Sequence, residues 1–495
     1  MLCTTPQFDA ALQIVAELRA TGYEAYLAGG CVRDLLLGRE PHDFDVATSA
    51  EPDVVLRLFP RTFAVGAHFG VVLVANSGRA ADAESATQAE LALPPVVTEV
   101  ATFRSDGAYS DGRHPDAVRY TTSAEEDVKR RDFTINGLLL DTFLLFPQGL
   151  KPASATGLDV RAEARTLQGN AFNNISQENL RLAVIDHICG LADLEAGIIR
   201  AIGDPELRFE EDHLRMLRGV RFAARFGFDL EEGTAAAMSR LAAKTAAVSR
   251  ERVRDELTKM LTEGHARQAF ELLHETGLLI EVLPEVARMK GVEQPPQYHP
   301  EGDVWTHTLG LLDQLEAGCP LTLAWGALLH DLGKPATFRR AERIRFDGHV
   351  EVGVAIGTEI CRRFRFSNDE TQQILALIEN HMRFADAPRM KASTLKRFFR
   401  LESFNQHLAL HRMDCMAGSG NLEHWEFVRE RFEAMPEEVV RPQPLITGRE
   451  LIAAGYKPGA AFRTMLQAIE DAQLEGVIQT EAEALSLLRE RFPIL

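Results

Sequence analysis

Apolar positions recur with helical spacing over residues 7–20, and a β-prone run over 23–28 comes next, ending in Gly29-Gly30. A short helical pattern over 32–37 stops at Gly38. Residues 43–46, 71–75 and 96–102 have the apolar patterning of strands. Between the last two, residues 77–95 are rich in Ala, Ser and Glu and read as a surface insertion. Residues 143–185 show no clear period and carry Pro147, Pro152, Gly157, Gly169 and Asn173-Asn174, so they read as a second, irregular insertion. From Ile199 onward the pattern is almost entirely helical, with amphipathic stretches predicted over 210–228, 251–276, 305–318, 350–365 and 368–382. The fold class is therefore α+β. A sheet-bearing part over 1–142 precedes the irregular segment 143–185, a helical region 186–290, a second helical region 291–440 and a helical tail 441–495. Pro295-Pro296 marks one linker and Pro442 with Pro444 another.

Composition narrows the reading without deciding it. A chain of 495 residues is too long for one compact core. Hydrophobic residues at 45% and charged residues at 25% are ordinary for a water-soluble globular chain. No apolar run reaches the roughly 20 residues that a membrane helix needs. The N-terminus lacks a basic start followed by an apolar block, so no signal peptide is predicted. Cys3, Cys31, Cys189, Cys319, Cys361 and Cys415 are scattered, which argues against a disulfide framework or thiolate zinc site and fits a reducing cytoplasm. The net charge of −18 sits awkwardly with a nucleic-acid partner. Binding, however, depends on local potential, and basic clusters occur at Lys129-Arg130-Arg131, Arg215/Arg218/Arg221, Arg362-Arg363 and Lys396-Arg397 with Arg400.

Residues 29–48 read GGCVRDLLLGREPHDFDVAT. Side chains alternate along a strand, so Asp43 and Asp45 project together while Phe44 points inward. Paired carboxylates suit Mg²⁺, a hard cation. The glycine pair, including Gly30, lets backbone approach a phosphate, and Arg33 can add a charge-assisted contact to a triphosphate. Asp-x-Asp or Gly-Gly alone usually marks nothing more than a turn or polar strand; their conjunction here is far more specific.

This block resembles the first motif of class II CCA-adding enzymes and bacterial poly(A) polymerases, in the polymerase β superfamily. Residues 129–138, KRRDFTINGL, resemble the second motif, and residues 208–228, RFEEDHLRMLRGVRFAARFGF, resemble the family's nucleobase-template helix. The resemblance implies a mixed-sheet nucleotidyltransferase head joined to an all-α neck and body. It implies tRNA as partner, CTP and ATP as substrates, and in-line attack of an RNA 3′-hydroxyl on an α-phosphate. Asp43 and Asp45 would hold the metals, with Glu99 as a third carboxylate, while Arg131 and Asp132 would hold sugar and triphosphate. Arg218 and Arg221 would extend the helix toward phosphates. Residues 65–74, VGAHFGVVLV, favour the CCA-adding branch over the poly(A) branch, and residues 104–116 are a candidate for the loop that governs C-to-A switching. The alternatives are a poly(A) polymerase or a CC- or A-only enzyme. Two departures stand out: Asn136-Gly137 where many relatives have Asn-Ala, and the insertion over 143–185.

The template helix also has a direct reading. Leu214, Leu217 and Val220 recur at core spacing, and Asp212 and Arg215 are three apart. A carboxylate accepts and a guanidinium donates. Cytosine and adenine each present an amino donor beside a ring-nitrogen acceptor, so one Asp–Arg pair can read both. Uracil and guanine present the reverse and leave like partners opposed, at a cost of about 1–3 kcal/mol per unmet group.

A second constellation lies downstream: His307, His330-Asp331 in LLHDLGK, His349, His381 and Asp414, with His299 as a further candidate. It resembles the HD superfamily, which implies an all-α HD domain and a transition metal, Mn, Fe, Ni or Zn. Two such ions can activate water against a phosphoester. That opens a reading of a different class, an HD phosphohydrolase whose head only binds nucleotide.

Overall fold

The computed structural model describes residues 5–63, 70–76, 96–107, 118–145 and 176–493. The predicted insertion over 77–95 lies outside them. So do residues 65–69 of the VGAHFGVVLV stretch, residues 108–116 of the candidate switching loop, and residues 146–175 of the irregular segment. Two compact units divide the chain: residues 1–249 with 275–281, and residues 250–274 with 282–495.

The first unit is built on a mixed seven-stranded sheet. In chain order its strands are β1 (Ala25–Ala28), β2 (Asp45–Thr48), β3 (Thr62–Phe63), β4 (Val71–Asn76) and β5 (Val96–Thr102). A separate hairpin of β6 (Arg104–Asp106) and β7 (Val118–Tyr120) comes next, and then β8 (Leu139–Leu140) and β9 (Val184–Ile185). The sheet order is β3-β4-β5-β2-β1-β8-β9. β2 runs parallel to β5 and the other neighbours are antiparallel. The helix Pro6–Ala20 packs on this sheet through Phe8, Ala11, Ile14, Val15 and Leu18. Thr5 caps it by accepting from the Phe8 N–H at 3.2 Å, and Pro6 occupies the first turn, where no donor is needed. Each large side chain it buries contributes about 1.5–3 kcal/mol.

The segment 143–185 is not wholly an insertion. Its last part forms the helix Gln177–Leu182 and β9, the edge strand of the main sheet. Two predicted long helices are each broken. The stretch 251–276 is Arg250–Thr262 and Ala266–Glu275, because Gly264 and His265 both take positive φ, 91° and 62°. The stretch 210–228 is Pro205–Glu211 and Leu214–Phe226, with Asp212 extended between them. The stretch predicted over 305–318 ends early, as Val304–Leu312.

The second unit is helical except for a small hairpin, Arg339–Arg340 with Ile344–Arg345. Its centre is the helix Leu321–Leu329, apolar on all sides and buried from Thr322 to Leu329. Trp325 donates its indole N–H to Thr258 Oγ1 at 2.9 Å, tying that helix to Arg250–Thr262. The clusters Lys396-Arg397 with Arg400 and Arg362-Arg363 are paired internally. Arg397 and Arg400 bond Glu470, Lys396 bonds the Leu474 carbonyl, Arg362 bonds Glu359 and Arg363 bonds Glu285. Lys396, Arg397 and Arg400 hold the helix Ala461–Leu474 in place. Among the described residues no cysteine is disulfide-bonded, and no helix is long and apolar enough to cross a membrane.

Candidate active site

Asp43 lies two residues before β2 and Asp45 is its first residue, so the strand begins two residues later than predicted. The alternation holds: Asp43 is exposed, and Phe44 is buried against Phe8, ring centroids 5.1 Å apart. Parallel pairing sets Val46 opposite Val100, which puts Asp45 beside Glu99 one residue earlier on each strand. Burial, then the charges of Glu99 and Asp43, push the Asp45 carboxyl up to about 6, against the opposing pull of Arg131. Asp45 thus feels two further carboxylates, Glu99 and Asp43, and one arginine, Arg131.

The second motif braces this corner. Arg131 is held by the Asp127 carboxylate at 3.0 Å and the Asn136 carbonyl at 3.3 Å. Gly29, at φ 73°, leaves room for it: a Cβ there would stand 3.0 Å from its guanidinium. Asp132 is buried and accepts from Arg218 Nε at 2.8 Å, from Asn136 Nδ2 at 3.0 Å and from the Phe133 N–H at 2.8 Å. Burial would raise its pKa, but Arg218 and the hydrogen bonds outweigh it and hold the carboxyl far below the usual range.

The nucleotide-binding candidates are not all on the surface. Arg33 is only 4% exposed; it bonds Asp34 at 2.8 Å and Asn136 Oδ1, and lies 4.6 Å from the Phe226 ring centroid. Gly30 opens the helix Gly30–Leu36 that carries Arg33. Leu214, Leu217 and Val220 face the core as their spacing predicts. Asp212 does not sit within a continuous helix; its carboxylate accepts from the Leu214 N–H at 3.0 Å and so starts the helix Leu214–Phe226. Arg215 bonds Glu211 at 2.5 Å and the carbonyls of Arg208 and Arg130 at 3.1 and 3.2 Å. Arg221 is buried over the Phe222 ring at 4.3 Å.

In the second unit the six predicted ligands converge. Asp331, 1% exposed, is the hub. Its carboxylate stands 3.2 Å from His330 Nε2, 3.8 Å from His381 Nε2, 3.9 Å from His307 Nε2 and 4.0 Å from His349 Nε2, with Lys334 Nζ at 2.6 Å. His330, His349 and His381 each direct Nδ1 to a carbonyl three residues earlier, at 2.9, 2.9 and 2.7 Å. That puts an Nδ1 proton on the carbonyl side of each ring and turns Nε2 toward Asp331. These buried Nε2 atoms have no hydrogen-bond partner among the described residues. Burial lowers His381 to about 4, which keeps it neutral. His307 bridges Glu301 at Nδ1, 2.7 Å, and Asp414 at Nε2, 2.9 Å; the two carboxylates outweigh burial and raise it to about 9. Glu301, which also pairs with His299 at 2.9 Å, is a site residue that the sequence pattern does not single out. Its only signal is its place in the HPEGD turn between two histidines.

Family profiles match residues 25–148 as "Poly A polymerase head domain", residues 227–290 as "Probable RNA and SrmB- binding site of polymerase A" and residues 352–488 as tRNA nucleotidyltransferase domain 2. With the mixed-sheet head, these define the class: an RNA nucleotidyltransferase. The CCA-adding enzyme of Geobacillus kaustophilus is 30% identical over 485 residues, 97% of this chain and 96% of that one. That of Lactobacillus gasseri is 36% identical over 486 residues, again 97% and 96%. The crystal structure of the Bacillus stearothermophilus CCA-adding enzyme in complex with CTP superposes with a TM-score of 0.67 at 27% identity, covering 99% and 98% of the two chains. The chain belongs to the CCA-adding enzyme family, the tRNA nucleotidyltransferases.

Proposed function

We propose that the protein builds the terminal C-C-A of tRNA from CTP and ATP, with no nucleic-acid template. The observation that carries this is Asp45 beside Glu99 on adjacent parallel strands, with Asp43 two residues earlier, next to Arg131 and to the Asp132–Arg218 pair that ties the second motif to the helix Leu214–Phe226. Asp45, raised by burial and by the charges of Glu99 and Asp43, offers with them carboxylate oxygens that suit a divalent cation. Mg²⁺ bound there supplies activation of the 3′-hydroxyl and stabilisation of departing pyrophosphate. Asp212 accepts the amino group of C or A, and Arg215, held in place by Glu211 and two carbonyls, donates to the ring nitrogen. Arg131 offers charge on the triphosphate side, while Arg33, Asp132, Arg218 and Arg221 keep the two motifs in register. The test is incubation with tRNA lacking its 3′ end and labelled CTP, ATP, UTP and GTP, singly and together. Ordered C, C, A addition that then stops is expected. Long A tails, CC alone, or A alone would replace the reading with a poly(A) polymerase or a partial enzyme.

A second activity rests on the histidine cluster. Unpartnered Nε2 atoms of His330, His349 and His381 aimed at Asp331, with His307 and Asp414 beside them, fit the donor set of Mn, Fe, Ni or Zn. Such a metal supplies water activation for phosphoester hydrolysis. Asp331 would join them as the carboxylate ligand, and Lys334 offers a positive charge to a phosphate. Metal analysis of the purified chain, with Asp331→Ala as control, tests it; equal metal in both would remove the HD reading.

A further inference from the structure

Near the end of the second motif stands a residue that the proposed chemistry does not use. Asn136 is 8% exposed, at the end of the 3₁₀ turn Thr134–Asn136. Its amide Nδ2 donates to Asp132 at 3.0 Å and its Oδ1 accepts from Arg33. Asp132 in turn holds Arg218, and the guanidinium of Arg218 lies 5.3 Å from the Phe222 ring centroid. Arg33 lies 5.3 Å from that same ring. The ring therefore closes: Arg33, Asn136, Asp132, Arg218, Phe222 and back to Arg33. It joins the helix of the first motif, the second motif and the helix that carries Arg215. A neutral amide suits the join, because it gives an acceptor to a cation on one side and a donor to a carboxylate on the other. A carboxylate there would keep Arg33 and repel Asp132; a hydrophobe would leave both buried groups short of a partner.

We infer that Asn136 is a positioning residue for nucleotide selection: it sets the spacing between the Gly30–Leu36 helix and the base-reading helix. It acts through Asp132 and Arg218, one helical turn from Arg215, and touches no substrate. The inference rests on the proposed base reading by Asp212 and Arg215.

The isosteric Asn136→Asp is the test, with kcat and KM measured for CTP, ATP, UTP and GTP on tRNA primers. The ratio of kcat/KM for CTP over UTP is expected to fall about tenfold, chiefly through a higher KM for CTP. An equal loss for all four nucleotides, or an unchanged ratio, overturns the inference, since a merely structural role scales every substrate alike. Should Asn136→Asp not fold, judged by thermal melting, the smaller Asn136→Ser is measured the same way with the same criteria. Asp212→Ala separates the two layers. A ratio unmoved by Asp212→Ala sinks the base reading, whereas a ratio moved by it but not at position 136 sinks only this inference.

Discussion

Adding one methyl group at Gly333 should dismantle the histidine cluster. Gly333 has φ −79°, so alanine meets no backbone strain there. The space is the obstacle: a Cβ would stand 1.9 Å from the His349 carbonyl oxygen and 2.8 Å from the Gly353 nitrogen, both backbone atoms. An ordinary C···O contact begins near ~3.3 Å, so the helix His349–Arg363 must retreat by about 1.4 Å. That helix carries His349, whose Nε2 lies 4.0 Å from Asp331. Metal-ligand distances tolerate only about 0.2 Å, so the displaced imidazole is lost as a ligand. Overpacking costs about 1–3 kcal/mol, against ~0.4–1 kcal/mol gained by stiffening the unfolded chain. The packing cost wins, and Tm should fall by about 2–8 °C. The assay is elemental analysis after loading with Mn²⁺ and gel filtration, alongside thermal melting. Gly333→Ala protein with wild-type metal content and wild-type Tm would refute the steric argument.

Asp45→Ala should abolish nucleotide incorporation while sparing metal-dependent phosphoester hydrolysis, and Asp331→Ala should do the reverse; loss of both activities in one folded variant would show that the sites are not independent. Gly219→Ala puts a Cβ 2.4 Å from Met238 Cε and 2.8 Å from Phe133 Cζ. The methionine end can yield but the buried ring cannot, so about 1–2 kcal/mol of stability should be lost despite better helix propensity, with a raised KM for CTP by steady-state kinetics. The carboxyl of Asp132 is depressed by folding, so its contribution to stability is complete above the ordinary carboxylate range and disappears as pH falls through the lowered folded-state value. Asp132→Asn should therefore be less stable than wild type at pH 7, with the gap narrowing below about pH 4 in urea titrations at fixed pH.

The sequence carries the local features well. Period-two alternation at Asp43, Phe44 and Asp45 predicts which side chain is buried, because a strand has no other way to place them. Helical spacing places Leu214, Leu217 and Val220 in the core. The breaks are harder to read. His265 takes a left-handed conformation that its side chain does not advertise, and Asp212 looks like any polar helix residue until its carboxylate is seen capping Leu214. β9 escapes prediction because two residues that complete a sheet edge depend on a partner, Leu139–Leu140, more than 40 positions earlier. Glu301 escapes it for a similar reason. Its role lies in a bond to His307, and a turn carboxylate shows no periodicity. Buried bridges such as Arg33 to Asn136 span 103 positions, beyond any window.

The division of the chain at residues 249, 275 and 281 bears on how such a protein can be cut or recombined. The polypeptide passes from the first unit to the second, returns for seven residues, and leaves again. No single cleavage point separates the halves. A fragment beginning at residue 291 would lack the Thr258 partner of the Trp325 indole and the apolar face of Val253, Leu257 and Leu261, and should be recovered mainly as aggregate. Gene chimaeras between relatives should survive only when residues 250–274 and residues 282–495 come from the same parent.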